Sequence, residues 1–563
     1  MCGAHPVRSP LRPLPGAGGP AREAGRQADR LLGGGQGRNT GQPRSLGASR
    51  YSRAGLPAAA LGPASYYADL SAPHGDRHVR VCTATACFAA SGGGHLAEVE
   101  RELGVTAHTA SPRGDVSVQT VRCLGYCYAG PAALDGDTPC TGPPDRVADL
   151  TGVPAPDLVA AARLYGRAER PAIVYGLGVT EHLHGTDGVR SLANLAILRG
   201  AVGTDRGYGV NPLRGQNNVQ GASDMGALPD LLPGYGKVTD AAVRSRAEDV
   251  WGAPVPPWPG LRIPDMFAAA RAGDLRALWI IGEDICATDP GANQVARALD
   301  ACPLVVCNEL FLSETARRAD VVLPAASWLE KDGTFVNFDR RFQRVRPAVP
   351  PPGQARTDFD ILRAVAEAME AGLGCPAPAD ALAECGRVAP VFAGLSHDRL
   401  DREGSVPWPC PAPHEPGEAK LYTERFSTPD GRAHLAAAPH LPPGEQPDDD
   451  YPLVLVTGRR WAHYNSGSMT RRGGNLALDP VDFLDLHPDD AGRYGLRDGQ
   501  GVTVESRHGR ARLVVRVSEQ TAPGQVFCSF HFPSSGVNRL TSDVADTVTS
   551  CPEYKVTAVR VRG

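Results

Sequence analysis

The chain lacks the features that would place it in a membrane, on a secretory route or on a polyanion. No run of about 18 apolar residues occurs along its 563 residues, so no segment reads as a membrane-spanning helix. The start carries no apolar core of the kind a secretory signal needs. Neither sign of charge is in large excess, with 58 basic against 62 acidic side chains, which gives no basis for nucleic-acid binding. No internal repeat is evident. Residues 1–63 are rich in Gly, Pro, Ala and Arg and poor in aromatic and β-branched residues. Such a segment buries too little apolar surface to offset its ordering entropy and is expected to be disordered. The 14 cysteines are irregularly placed, unlike the dense framework of a small secreted domain, and a reducing cytoplasm is the expected location.

Cys2, Cys140, Cys375, Cys385 and Cys410 have no partner spacing. Four other cysteines do. Cys82 and Cys87 form C-x4-C, and Cys123 and Cys127 form C-x3-C, each pair following an apolar strand pattern at residues 79–81 and 116–121. Thiolates select soft metals, and a [2Fe–2S] cluster wants four cysteine sulfurs. A structural zinc site uses similar spacings and stays open on spacing alone.

The residues around the pairs carry a resemblance. Segments 81–87 and 121–127, with a helical stretch at 96–103, resemble the thioredoxin-like [2Fe–2S] subunit of NADH-oxidising modules, found in respiratory complex I and NAD-dependent formate dehydrogenases. The likeness covers about residues 64–140, with only a remnant of the family's helical N-terminal part around 64–70. It implies a [2Fe–2S] cluster on Cys82, Cys87, Cys123 and Cys127, and one-electron exchange with a flavin- and NAD-binding, diaphorase-type partner subunit.

Beyond residue 150 the pattern alternates strands and helices. Residues 158–165 read as a helix and Ala172–Tyr175 as a buried strand leading into Gly176-Leu177-Gly178. Glu181 stands where a third glycine would complete a dinucleotide fingerprint, so the match fails. The stretch 209–221 is polar, glycine-rich and without helical or strand period. A loop so loaded with amide and guanidinium donors suits an anionic or heteroaromatic ligand, or is a capped surface loop. Strands are predicted at Leu278–Ile281, at 304–306 and at 321–323, with a turn Gly282-Glu283-Asp284 and Ser313 as a helix cap. This rhythm implies a parallel sheet with ligands at the strand C-termini. From about residue 450 the period becomes two, in segments at 453–456, 501–506, 511–517, 526–530 and 556–561, which reads as a compact β-barrel.

These residues carry a second resemblance. Residues 150–563 look like the C-terminal two-thirds of a molybdopterin oxidoreductase of the formate dehydrogenase catalytic-subunit type, on segments 210–229, 282–290, 315–344, 463–472 and 552–555. The resemblance implies molybdenum held by bis(molybdopterin guanine dinucleotide), with Arg214 gripping formate and Gln216 near the metal or pterin. It places Glu283, Asp284, Glu309, Ser313 and Thr315 along one guanine dinucleotide, with Lys331, Asp332 and Gly333 in that shell. Thr457, Gly458, Arg459, His463, Ser468, Met469 and Thr470 would line the barrel side, with Asn538, Tyr554 and Lys555. Ser223 and Asn465 depart from the family's usual cysteine and histidine.

The family's opening C-x2-C-x3-C [4Fe–4S] domain and its Cys-His or Sec-His metal ligand do not occur in this sequence. Cys286, Cys302, Cys307, Cys528 and Cys551 have no adjacent histidine and read as small core thiols. The expected architecture is therefore multidomain α/β: a thioredoxin-like [2Fe–2S] domain at 64–145, an incomplete parallel-sheet molybdopterin oxidoreductase region at 150–371, a connecting region at 372–450, and a C-terminal barrel of double-psi type at 451–563. Sheet faces left apolar and uncovered are expected in the α/β region. The expected activity is molybdopterin-dependent oxidation of formate, with a further chain supplying the [4Fe–4S] and metal-ligand region. The alternative is an electron-transfer or cofactor-binding protein without turnover of its own.

Overall fold

The computed structural model describes residues 77–82, 95–107, 109–110, 116–121, 132–135, 138–141, 147–148 and 151–563 except 439–440. The expectations for residues 1–63, for the remnant at 64–70 and for Cys87, Cys123 and Cys127 lie outside the described residues.

The first region is a five-stranded sheet of β1 (Arg77–Cys82), β2 (Thr109–Ala110), β3 (Val116–Val121), β4 (Ala132–Asp135) and β5 (Thr138–Thr141), in the order β2-β3-β1-β4-β5. Leu96, Val99 and Leu103 recur at helical spacing on the helix His95–Leu103 and pack against Val79, Val105 and Val118. β1 and β3 run parallel with Cys82 opposite Val121. Cys82, the first cysteine of its pair, therefore sits where β1 ends beside β3, with adjacent backbones about 4.8 Å apart.

The second region opens with β6 (Ala172–Tyr175) parallel to β7 (Gly209–Pro212), crossed over by the helix Gly185–Arg199. That helix stops at Gly200, whose φ of 68° suits a residue without Cβ. The short hairpin β8 (Leu231–Leu232) and β9 (Gly236–Lys237) follows. A parallel sheet of β10 (Leu278–Ile281), β11 (Val305–Glu309) and β12 (Val321–Pro324) comes next. One face buries Ile280, Val305 and Cys307 against Phe267, Val295 and Leu299 of the helices Ile263–Ala272 and Ala292–Ala301. On the other face Trp279 is 38% exposed, Ile281 43% and Val321 42%. Parallel sheets normally bury both faces, so this apolar surface lacks a covering layer among the described residues.

A small antiparallel sheet of β13 (Gly333–Val336), β14 (Arg341–Val345) and β15 (Ser405–Pro407) joins the two halves. Its core unites Val336 and Phe342 with Leu382, Phe392, Leu400, Val406 and Cys410. The segment 372–450, read as connection with some helix, does hold the helices Pro378–Val388 and His397–Glu403 and also supplies much of a core. The C-terminal strands β16 (Leu453–Gly458), β17 (Phe483–Leu486), β18 (Gly501–Ser506), β19 (Arg510–Val517), β20 (Gln525–Ser529) and β21 (Thr557–Arg562) close into a barrel, in the order β16-β20-β17-β19-β18-β21. Leu453, Leu455, Leu484, Val504, Val526 and Val559 fill it. β17 escaped the sequence reading because its apolar run is broken by Asp485. That buried carboxylate is held by Arg516 (Nε–Oδ1 2.7 Å) and Arg460 (Nη2–Oδ2 2.8 Å).

The expectation that residues 209–221 lack regular structure is corrected. β7 takes the first four residues, and the helix Val219–Asp224 begins at the end of the stretch. Register with β6, not local hydrophobic period, makes that polar strand.

Candidate functional site

Arg214 lies on the irregular turn between β7 and the helix Val219–Asp224. Two contacts wedge this turn between the α/β region and the barrel. Asn218 sits at φ 60°, and its Oδ1 accepts from the Val336 amide of β13 at 2.9 Å. On the other side the Asn217 amide donates to the Tyr464 hydroxyl at 2.6 Å. A Cβ on Gly215 would sit 3.3 Å from Nη1 of Arg459, so the turn passes directly over that barrel guanidinium.

Behind Arg214 runs a buried polar chain. Arg214 Nε donates to Gln220 Oε1 (3.1 Å), and Gln220 Nε2 donates to Asp224 Oδ1 (2.6 Å). Tyr235 and Trp408 also donate to Asp224, at 2.9 and 2.8 Å. Burial pushes the Asp224 carboxyl up, opposed by these three hydrogen bonds. Among the described residues Gln216, singled out from the sequence, makes only a backbone hydrogen bond, its carbonyl accepting from the Val219 amide.

The turn after β10 forms a second cluster. Asp284 Oδ1 accepts from the Thr315 amide (2.9 Å) and hydroxyl (2.8 Å), and the Thr315 hydroxyl accepts from the Cys286 amide. Ser313 Oγ accepts from the Ala316 amide, but it is not the cap expected of it: the element that follows is the short 3-10 turn Ala316–Arg318, whose N-cap position is Thr315. Glu309 is bonded by its neighbour's Leu310 amide, and burial pushes its carboxyl up. Glu283 is exposed. The barrel clamps this turn from below: Asn538 Nδ2 donates to the Ala287 and Thr288 carbonyls, and Tyr554 Oη to the Thr288 carbonyl at 3.0 Å. Lys555 Nζ reaches the Thr457 carbonyl (2.6 Å) and Glu181 (3.0 Å).

On the barrel loop, His463 bonds Thr470 and the Asp479 carbonyl, and Ser468 bonds Ser466. Met469 is about one-third exposed, and Gly458 lies against Phe527. Arg459 bonds Asn465 and lies over the Phe530 ring. His531 accepts from the Arg460 amide at Nε2, so Nδ1 carries the proton donated to the Asn465 carbonyl. Burial lowers its pKa to about 4. Lys331 and Asp332 are engaged elsewhere, with Asp358 (3.1 Å) and Arg344 (2.9 Å), while the Gly333 carbonyl accepts from Arg344.

Buried polar atoms without partners test whether a nucleotide cofactor fits. Asp284 Oδ2 and Asn538 Oδ1 are orphaned acceptors on the same turn and its clamp, while the Nε groups of Arg459 and Arg471 are orphaned donors. Each such group costs about 1–3 kcal/mol when left unpaired. Acceptors for a purine N–H edge and guanidinium donors for phosphate are the complement of a dinucleotide. Sequence reasoning missed Gln220, Asp224, Trp408 and His531. Gln220 lay in the polar stretch it flagged, but nothing local marks Trp408 as its neighbour. Cys302, Cys307 and Cys528 are buried as expected, whereas Cys286 and Cys551 are only half-buried.

An α/β body clamped onto a closed barrel, with unpaired donors and acceptors at the seam, defines a protein built around a large anionic nucleotide cofactor. Residues 117–368 match the family model "Molybdopterin oxidoreductase", 453–558 the "Molydopterin dinucleotide binding domain", and 56–149 the "Thioredoxin-like [2Fe-2S] ferredoxin". The chain is 43% identical over 422 residues to F420-dependent formate dehydrogenase 2 subunit alpha of Methanococcus maripaludis, covering 74% of this chain and 62% of that one. Identity to formate dehydrogenase H of Escherichia coli is 37%, covering 74% and 59%. Against the assimilatory nitrate reductase catalytic subunit of Bacillus subtilis it is 34%, covering 74% and 60%. The fold resembles acetylene hydratase from Pelobacter acetylenicus, with a TM-score of 0.54 at 18% identity over 74% of this chain and 64% of that one. The chain carries a molybdopterin oxidoreductase region, a molybdopterin-dinucleotide-binding domain and a thioredoxin-like [2Fe–2S] ferredoxin region, and formate dehydrogenase subunits are among its relatives. It spans about three-fifths of the length of the curated relatives it matches. The cofactors of these families are a molybdopterin dinucleotide and a [2Fe–2S] cluster. No helix among the described residues is long and apolar enough to cross a membrane.

Proposed function

We propose that the chain works in formate oxidation, as part of a cytoplasmic molybdopterin enzyme that passes electrons through its [2Fe–2S] region to a flavin- and NAD-binding partner. The observation that carries this reading is the Arg214 turn, held between β13 and the barrel with its Nη1 and Nη2 unbonded among the described residues. A planar guanidinium fork is matched to a planar carboxylate. When bound, the molybdenum cofactor supplies the two-electron acceptor and the cluster a one-electron outlet. Arg214 orients the anion. Asp284, Asn538 and Arg459 offer the unpaired atoms that hold the dinucleotide. Cys82, Cys87, Cys123 and Cys127 hold the iron.

The bare face of Trp279, Ile281 and Val321 favours a second polypeptide region as its covering layer. In this reading that region also brings the [4Fe–4S] and metal-ligand residues. The test is the iron, molybdenum and guanine-nucleotide content of the purified chain, followed by formate-dependent dye reduction. About two irons with stoichiometric molybdenum and nucleotide, and dye reduction once the covering region is co-expressed, are expected. Two irons with neither molybdenum nor nucleotide under those conditions would leave an electron carrier in place of a formate enzyme.

A further inference from the structure

We propose that Gln220 and Asp224 are positioning residues that lock the Arg214 guanidinium, so that a bound oxyanion meets its terminal Nη1/Nη2 edge alone. This deepens the formate reading and rests on Arg214 as the anion-binding group.

The argument is one of hydrogen-bond direction. A guanidinium has only donors, so Arg214 Nε, 3.1 Å from Gln220 Oε1, fixes that atom as the amide oxygen. The opposite end then must donate. Its partner Asp224 Oδ1, at 2.6 Å, is an acceptor that also takes the Tyr235 hydroxyl, while Oδ2 takes the Trp408 indole N–H. An amide flip would set donor against donor at one end and acceptor against acceptor at the other, so Gln220 has one orientation.

Gln220 is 6% exposed and Asp224 fully buried, whereas Arg214 is exposed. The anchor is thus rigid and interior, and the guanidinium is its free end. A guanidinium offers a carboxylate two bidentate edges, Nε/Nη and Nη1/Nη2. Gln220 occupies Nε, which closes the first edge. Asp224 lies two groups away, so its charge reaches Arg214 through a polarised amide and leaves the terminal N–H groups free for the ligand.

The test measures formate binding to the purified full chain by broadening of the formate proton resonance, at pH 6 to 8, independently of turnover. Gln220→Met keeps the volume and removes all three side-chain hydrogen bonds of Gln220, to Arg214, Asp224 and the Tyr235 hydroxyl. It should weaken formate about tenfold, ~1.4 kcal/mol, with no loss of helical signal. Gln220→Glu keeps an acceptor for Nε but sets a second carboxyl against Asp224. Its affinity should fall as pH rises and the added acid ionises, while the wild type stays flat. A merely structural role for Gln220 would not produce that pH profile. Wild-type affinity in Gln220→Met together with a flat profile in Gln220→Glu would overturn the positioning role while Arg214→Ala still abolishes binding. Binding that is absent in the wild type, or that survives Arg214→Ala, would instead overturn the anion site, and the positioning role with it.

Discussion

Glu553 should be the joint that keeps the α/β region seated on the barrel, and its removal can be worked out in advance. Its side chain is 1% exposed, with Oε1 accepting from the Leu183 amide at 2.9 Å and Oε2 from the Gly444 amide at 3.0 Å. The two donors come from opposite sides: Leu183 just precedes the helix Gly185–Arg199, and Gly444 lies on the segment entering the barrel. Hydrogen bonds to a charged acceptor contribute roughly 1.5–3 kcal/mol each. Glu553→Ala removes both and leaves two amides facing a gap, which should cost about 3–5 kcal/mol of local stability. Glu553→Gln keeps the shape and one acceptor and should cost about half of that. Hydrogen exchange is the right assay, because a multidomain chain has no single unfolding free energy. At about 1.4 kcal/mol per tenfold, amide exchange at 181–186 and 442–446 should quicken roughly a hundred- to several-thousandfold in Glu553→Ala and roughly ten- to sixtyfold in Glu553→Gln. Strands of the barrel core should be unaffected. Exchange within threefold of wild type in both segments of Glu553→Ala would refute the reasoning.

Acid should act in two windows, one within the barrel at His531 and one at the same joint at Asp546. His531, held neutral with its pKa lowered to about 4, contributes stability that is present above its ordinary value near 6.5 and lost as pH falls through 4. For Asp546, burial alone would push the carboxyl up, but hydrogen bonds from Thr186 and Thr549 hold it down at about 2. Its contribution, ~2 kcal/mol, is present above pH 3.8 and lost as pH falls through 2, so Asp546→Asn should destabilise at pH 7 and cost little at pH 2 in denaturant titrations. Replacing any of Cys82, Cys87, Cys123 or Cys127 by serine should abolish the visible iron–sulfur absorbance. Cys302→Ala and Cys528→Ala, at buried core thiols, should leave it intact. Asp284→Ala should lower co-purifying guanine nucleotide several-fold without changing iron content, since its orphaned Oδ2 lies far from the cysteine module in sequence and, in the proposed reading, would serve the nucleotide rather than the cluster. Nucleotide content unchanged in that variant, with its melting temperature preserved, would remove Asp284 from the cofactor shell.

What was legible in the sequence follows from the range of the forces involved. The strands at 79–81, 278–281 and 453–456 announce themselves through local period, because each buries at least one face, and the helix at 158–165 forms within Ala155–Arg167 although none of its residues is buried. The barrel was readable for the same reason, except β17, where a buried Asp485 answers to Arg460 and Arg516 rather than to solvent. Residues 209–221 and 372–450 were read as loop and connection because their order comes from remote partners. β7 is polar and exists by pairing with β6, and Phe392 and Cys410 find their core in Phe342. The candidate site divides the same way. Arg214, Asp284 and Tyr554 sit in segments whose composition or family likeness marks them. Trp408 is 184 residues from the Asp224 carboxylate it donates to, and no window of sequence joins them.

That division bears on what the chain needs in order to work. The Arg214 anchor is complete within this sequence, from the guanidinium to the Trp408 indole, and so is the Asp284–Thr315–Asn538 seam. The β10–β12 sheet is incomplete in a different sense. Its helices cover one face, and among the described residues Trp279, Ile281 and Val321 stay partly exposed on the other. Burying those three side chains would stabilise a covering layer by several kcal/mol at ~25 cal/mol per Å². The groups that would grip cofactor and anion are thus organised before any partner arrives. A partner's contribution would lie mainly in closing the sheet and shielding the seam from water, where each unpaired donor and acceptor then gains strength.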